Sequence, residues 1–158
     1  MLQITARKLL QMDVTMVCAL DTSVLLDCGV RSLRKDQLDG VPLDTPIVVY
    51  CAAWSCGAGK AFGKELTSRG FTCVYDYVGG LSEWILLSRT DPGTYRLKDA
   101  QTGEPASEQS VNETFDAMHH QYFEKNGFRI CGSKRPPSLL LLGTALLLFF
   151  RGTSPPRP

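Results

Sequence analysis

A chain of 158 residues, 44% of them hydrophobic and 21% charged, is long enough for one ordinary domain with extensions and too short for two full ones. Its formal net charge of +1 leaves neither a basic stripe nor an acidic tail, which argues against a nucleic-acid partner. No secretory leader is read at the N-terminus, so the six cysteines are expected as thiols in a reducing, cytoplasmic setting rather than as a disulfide framework, and the Asn112-Glu113-Thr114 sequon is taken as incidental.

In chain order, Ile4 to Leu10 predicts a brief strand and then a helix N-capped by Thr5, with Leu9 and Leu10 turned to the core. Val14 to Leu20 is apolar but short, and periodicity leaves strand and buried helix both open. Val24 to Gly29 reads as a core strand ending on a polar residue and a breaker. Ile47-Val48-Val49-Tyr50 is a continuous apolar run rich in β-branched residues, the pattern of a strand buried on both faces of a parallel sheet.

Cys51 therefore stands at the carboxyl end of a buried strand. The residues after it are mostly small (Ala52, Ala53, Ser55, Gly57, Ala58, Gly59), so the backbone can curl tightly and turn consecutive N–H groups toward the sulfur. A helix begins near Gly57 to Lys60, and its N-terminus favours a thiolate or a bound anion. Cysteines so placed have depressed pKa values and serve as nucleophiles.

Ala61 to Arg69 continues the helix, with Phe62 and Leu66 on one face and Gly70 as its stop. Thr72 to Val78 alternates as a strand, and Gly79-Gly80 permits a tight turn into a helix bearing Trp84, read as a core residue, and Leu86. Past Asp91-Pro92-Gly93, Thr94 to Lys98 suggests an edge strand and Asp99 to Glu104 a turn. A capping box at Ser110 to Glu113 then opens a helix with Val111, Phe115, Met118 and Tyr122 on one face, ending near Asn126-Gly127. His119 and His120 are adjacent on that helix and diverge, and no Cys/His grouping completes a metal site. Ser138 to Phe150 carries no charge, but thirteen helical residues span only about 20 Å against roughly 30 Å of hydrocarbon. A tail anchor, an interfacial helix and a hydrophobic interaction segment all fit that stretch.

Pro46 to Cys51, the helix with Phe62, Leu66 and Gly70-Phe71, and Val74-Tyr75-Asp76-Tyr77-Val78-Gly79-Gly80-Leu81-Ser82-Glu83-Trp84 together resemble the second half of a rhodanese domain. The resemblance covers roughly residues 1 to 86. It implies a three-layer α/β/α fold with a mainly parallel central sheet, here over residues 1–88, followed by an extension at 89–133 and a hydrophobic tail at 134–158. It implies no cofactor. The chain departs from the family's usual middle segment: Ser32 to Thr45 is shorter and lacks a Gly-His-Ile-Pro-Gly-Ala type motif, so a strand or helix is missing or remodelled there.

By the same resemblance, the activity is sulfur transfer. Cys51 would take the outer sulfur of a donor as a persulfide and pass it to a thiophilic acceptor, with the Ala52, Ala53, Trp54, Ser55, Cys56 and Gly57 backbone binding the anion and Asp27, Arg31 and Lys60 in support. The apolar Ala52, Ala53 and Trp54 favour a bulkier or protein-borne donor over thiosulfate. Cys56, across the loop, is a resolving-thiol candidate or a small buried thiol. Cys18, Cys73 and Cys131 have no such setting, and Cys28 lies at the end of a neighbouring strand.

Two readings compete with the transferase: a non-catalytic binding module on the same fold, and a Cys51/Cys56 thiol–disulfide redox protein. A phosphatase needs arginine six positions after the cysteine, where Gly57 stands. A nucleotide-binding P-loop at Gly57 to Lys60 fails at Trp54 and Ala61.

Overall fold

A computed structural model describes residues 1–53 and 56–125, the last five as backbone only. Residues 1–121 form one compact unit and 122–158 a second. The predicted tail at 138–150, Asn126-Gly127 and Cys131 lie outside the described residues. Among the described residues, no helix is long and apolar enough to cross a membrane.

The elements are β1 (Leu2–Ile4), α1 (Ala6–Leu9), β2 (Thr15–Cys18), β3 (Val24–Asp27), β4 (Ser32–Arg34), β5 (Ile47–Tyr50), α2 (Gly57–Ser68), β6 (Val74–Tyr77), α3 (Gly80–Thr90), β7 (Arg96–Asp99) and α4 (Glu108–Lys125). Five strands make a parallel sheet in the order β1-β6-β5-β2-β4, and β3 pairs antiparallel with β7 in a separate ribbon.

β5 lies at the middle of the sheet because its side chains are apolar on both faces. Ile47 and Val49 point to a core shared with Val17, Leu66 of α2 and Phe71. Val48 and Tyr50 point the other way, into a core shared with Met16, Leu9 of α1, Val24 to Leu26 of β3, and Leu81, Trp84 and Ile85 of α3. The result is the expected α/β arrangement with helices on both faces of a parallel sheet.

Several local expectations are met by identifiable contacts. Thr5 Oγ1 accepts from the Lys8 N–H at 3.3 Å, capping α1. Val14 to Leu20 resolves to a strand, β2, whose side chains are all buried. Trp84 is fully buried, meets Tyr77 and Tyr95 edge-to-face, and donates its indole N–H to the Arg96 carbonyl at 2.8 Å.

Others are corrected. The Val24 to Asp27 strand does not join the central sheet: β2 is already flanked by β5 and by β4, a three-residue strand too short to show a period in sequence, so β3 takes β7 as its partner. β7 runs to Asp99, whose carboxylate accepts from the Gln101 and Thr102 N–H groups and closes the turn. The cap of α4 is Ser107 rather than Ser110, because the Ser107 hydroxyl accepts from the Ser110 N–H at 3.1 Å one turn earlier than the capping-box reading placed it. Val111, Phe115 and Met118 pack on the core next to α3, as their spacing predicted.

Candidate functional site

Strand alternation decides where the cysteines point. Ile47 and Val49 face α2, so Cys51 does too, and the adjacent Gly59 leaves room for it: a β-carbon on Gly59 would stand 3.2 Å from Cys51 Cβ. Cys51 is buried, at 5% exposure. Cys56 is the N-cap of α2, in extended backbone, and is partly exposed. Their sulfurs are joined in a disulfide across the loop, with Cα atoms 6.3 Å apart. The expectation of six free thiols is thus corrected for this pair. A loop tight enough to bring a strand end onto the first helical turn also brings a cysteine five residues on within bridging distance.

Two helix N-termini meet the loop. α2 presents its first turn to Cys51, as expected. From the other side, the first N–H groups of α3 hold the loop's carbonyls: Leu81 N–H donates to Cys51 O and Ser82 N–H to Ala52 O, each at 2.8 Å. The loop amides are not all turned to the sulfur. Cys56 N–H donates to Ala53 O at 2.8 Å and is committed to the turn itself. Ala52 and Ala53 are half-buried beside Cys51, Gly57 opens α2, and Trp54 and Ser55 lie outside the described residues.

Of the supporting residues, Asp27 pairs with Arg96 across the β3–β7 ribbon at 3.1 Å, and not with Arg31. Burial pushes its carboxyl up, but the Gly29 N–H and the Arg96 guanidinium outweigh that and hold it below the usual carboxylate value. Arg31 contributes its carbonyl, which accepts from Met16 N–H at 2.8 Å. Lys60 is exposed on the first turn of α2 and acts electrostatically on Asp76.

Asp76 is the residue sequence reasoning passed over. It sits on β6 opposite Val49 and shares the α2-facing side with Cys51. Its Oδ1 is 3.6 Å from the same point off Gly59 that lies 3.2 Å from Cys51 Cβ. Burial raises its pKa, while Lys60 and the amino group of Met1 pull the other way. The available signal was an acid in the middle of an otherwise core-directed strand, Val74-Tyr75-Asp76-Tyr77, beside the strand that ends in the cysteine.

Among the described residues, the other three cysteines are set apart from this centre. Cys18 is buried on the opposite face of the sheet, and burial pushes its pKa to about 11. Cys28 is likewise raised, by burial first, and its thiol points at Met16 Sδ at 3.1 Å on that same face. Cys73 donates to the Tyr75 hydroxyl at 3.3 Å. Low nucleophilicity follows for Cys18 and Cys28. His119 stacks on Phe115, ring centroids 4.2 Å apart, and among the described residues no cluster of potential metal ligands forms.

Residues 22–87 match the family model of the Rhodanese-like domain. Over those residues the chain is similar to rhodanese-like domains. The match begins at Thr22, so β1, α1 and β2 complete the sheet from outside the matched range. No curated protein matches the chain. Among solved structures, the chain is similar to the BH2092 protein of Bacillus halodurans, at 15% identity and a TM-score of 0.49 over 63% of this chain and 77% of that one. It is also similar to a polysulfide-sulfur transferase homodimer of Wolinella succinogenes, at 18% identity and a TM-score of 0.41 over 56% and 75% of the respective chains. Rhodanese-like domains include sulfurtransferases as well as members without catalytic activity, so the chemistry rests on the site itself.

Proposed function

We propose that the reduced protein is a sulfurtransferase that carries a sulfane sulfur as a persulfide on Cys51. The observation that supports this most is the placement of Cys51 at the end of β5, side chain toward the N-terminus of α2 in a buried site. A thiolate or a terminal persulfide there is stabilised by the helix N-terminus, an effect of about 0.3–1 kcal/mol when exposed and up to about 2 when partly buried. Neither a metal nor a side-chain base is needed, since the step exchanges one sulfur anion for another. The donor and acceptor are a small-molecule or protein-borne persulfide and a thiol, in a reducing compartment such as the cytoplasm. Attachment to a membrane through residues 138–150 belongs to the same proposal.

The test is intact-protein mass spectrometry of the reduced chain carrying Cys56→Ser, which removes the competing thiol, after incubation with thiosulfate or a small persulfide. A gain of one sulfur that is lost in Cys51→Ser supports the reading. No adduct with either donor leaves a binding module on the same fold.

The Cys51–Cys56 bond favours a second reading, a thiol–disulfide redox protein without sulfur transfer. In that case the reduced protein gains no sulfur and instead loses two hydrogens on exposure to an oxidant, in a manner that requires both cysteines.

A further inference from the structure

The Cys51–Cys56 disulfide shows that the two sulfurs reach each other with the loop as folded. The two ends of the bond differ. Cys51 is buried against Gly59, and Cys56, at the N-cap of α2, is open to solvent in part. Resting on the sulfur-transfer reading above, we propose that Cys56 is the acceptor that discharges the Cys51 persulfide, releasing hydrosulfide and leaving the disulfide as the spent form of the enzyme.

Cys56 thiolate attacks Cys51 Sγ; the bond between Cys51 Sγ and its sulfane sulfur breaks, and that sulfur leaves as hydrosulfide with the proton it carried. The sulfane sulfur takes up two electrons, and the two cysteines give them up in forming their bond. Reopening requires an external dithiol reductant. Its thiolate meets Cys56 first, because Cys56 is the accessible sulfur, and Cys51 leaves as a thiolate facing the N-terminus of α2, where a negative charge is favoured. The reductant's second thiol then frees Cys56 and closes the reductant's own disulfide. The nucleophile is thereby regenerated in the state that accepts the next sulfur, and the product is hydrosulfide rather than a sulfur-loaded acceptor.

The burial of Cys51 is what directs this cycle. An external acceptor thiol must reach into a buried residue, whereas Cys56 is already in bonding position.

The experiment charges the reduced full chain anaerobically with glutathione persulfide, traps hydrosulfide with a bimane reagent and reads the intact mass, for wild type, Cys56→Ser and Cys56→Ala. Wild type is expected to release hydrosulfide stoichiometrically and to end two hydrogens lighter than the reduced protein. Both Cys56 variants are expected to keep the extra sulfur and to release hydrosulfide only when dithiothreitol is added. Wild type that retains the extra sulfur with no disulfide, whether on Cys51 or passed intact to Cys56, overturns the proposal while leaving sulfur transfer standing. Failure of wild type and of both Cys56 variants to gain sulfur or release hydrosulfide overturns the sulfur-transfer reading and this inference with it.

Discussion

Gly80 packs against the backbone of Cys51 so closely that a β-carbon there would stand 2.5 Å from the Cys51 carbonyl oxygen. Its φ of +63° also lies where other residues are strained. This contact lets the Leu81 and Ser82 N–H groups reach the Cys51 and Ala52 carbonyls, so the second helix N-terminus fixes the cysteine loop. Gly80→Ala is therefore expected to destabilise the domain by about 2 kcal/mol or more, from the left-handed backbone and the clash together. Thermal unfolding reads this as a Tm lower by several degrees. An unchanged Tm means that the loop is not held from this side.

Asp76 and Cys51 share one face of the sheet beneath α2, both close to Gly59 of that helix. An ionised carboxylate there opposes a thiolate. Asp76→Asn is accordingly expected to move the pH profile of Cys51 alkylation by iodoacetamide, measured in the Cys56→Ser background, to lower pH. An unmoved profile shows that the two groups do not interact.

The same carboxyl has a consequence for stability. Burial raises its folded pKa above the unfolded value, so its favourable contribution is present in full below the ordinary aspartate pKa and is lost as pH rises through the raised value. Urea denaturation across that window is expected to show wild type losing stability relative to Asp76→Asn as pH increases. A constant difference between the two proteins contradicts the assignment.

Asp27 and Arg96 join β3 to β7 at the surface. The sign here is the opposite: the Asp27 carboxyl is held low, so the pair stabilises above the ordinary aspartate pKa, and the gain is lost as pH falls through the lowered one. With Arg96 half exposed, removal of the pair in Asp27→Asn is expected to cost no more than about 1 kcal/mol. Arg31→Ala is expected to fall within about 0.5 kcal/mol of wild type, as surface substitutions do. Denaturation curves for both variants at neutral pH check the ranking.

How much of this was legible in the sequence depends on how local the signal was. The run Ile47 to Tyr50 and the small residues after Cys51 are a strand and a turn by elementary rules, and they put the cysteine where it is found. Thr5 as a cap and Trp84 as core are equally local. What escaped was decided by partners far along the chain. Val24 to Asp27 looks like any core strand, and only the occupation of both edges of β2 sends it to β7. Asp76 and Cys51 become neighbours only once β6 is laid in register beside β5. Three-residue β4 has no period to read, and Ser107 and Ser110 are both acceptable caps until the helix start is known. The Cys51–Cys56 spacing across a tight loop raised the pairing in the sequence, but left a resolving thiol and a small buried thiol equally open until the bond was located.

The most direct test is steady-state turnover of a persulfide donor in the presence of a dithiol, read as hydrosulfide released, for wild type and Cys51→Ser after full reduction. Turnover is expected in wild type and only the uncatalysed background in Cys51→Ser, with Cys18→Ser and Cys28→Ser close to wild type. Turnover that survives the loss of Cys51 would contradict sulfur transfer through Cys51.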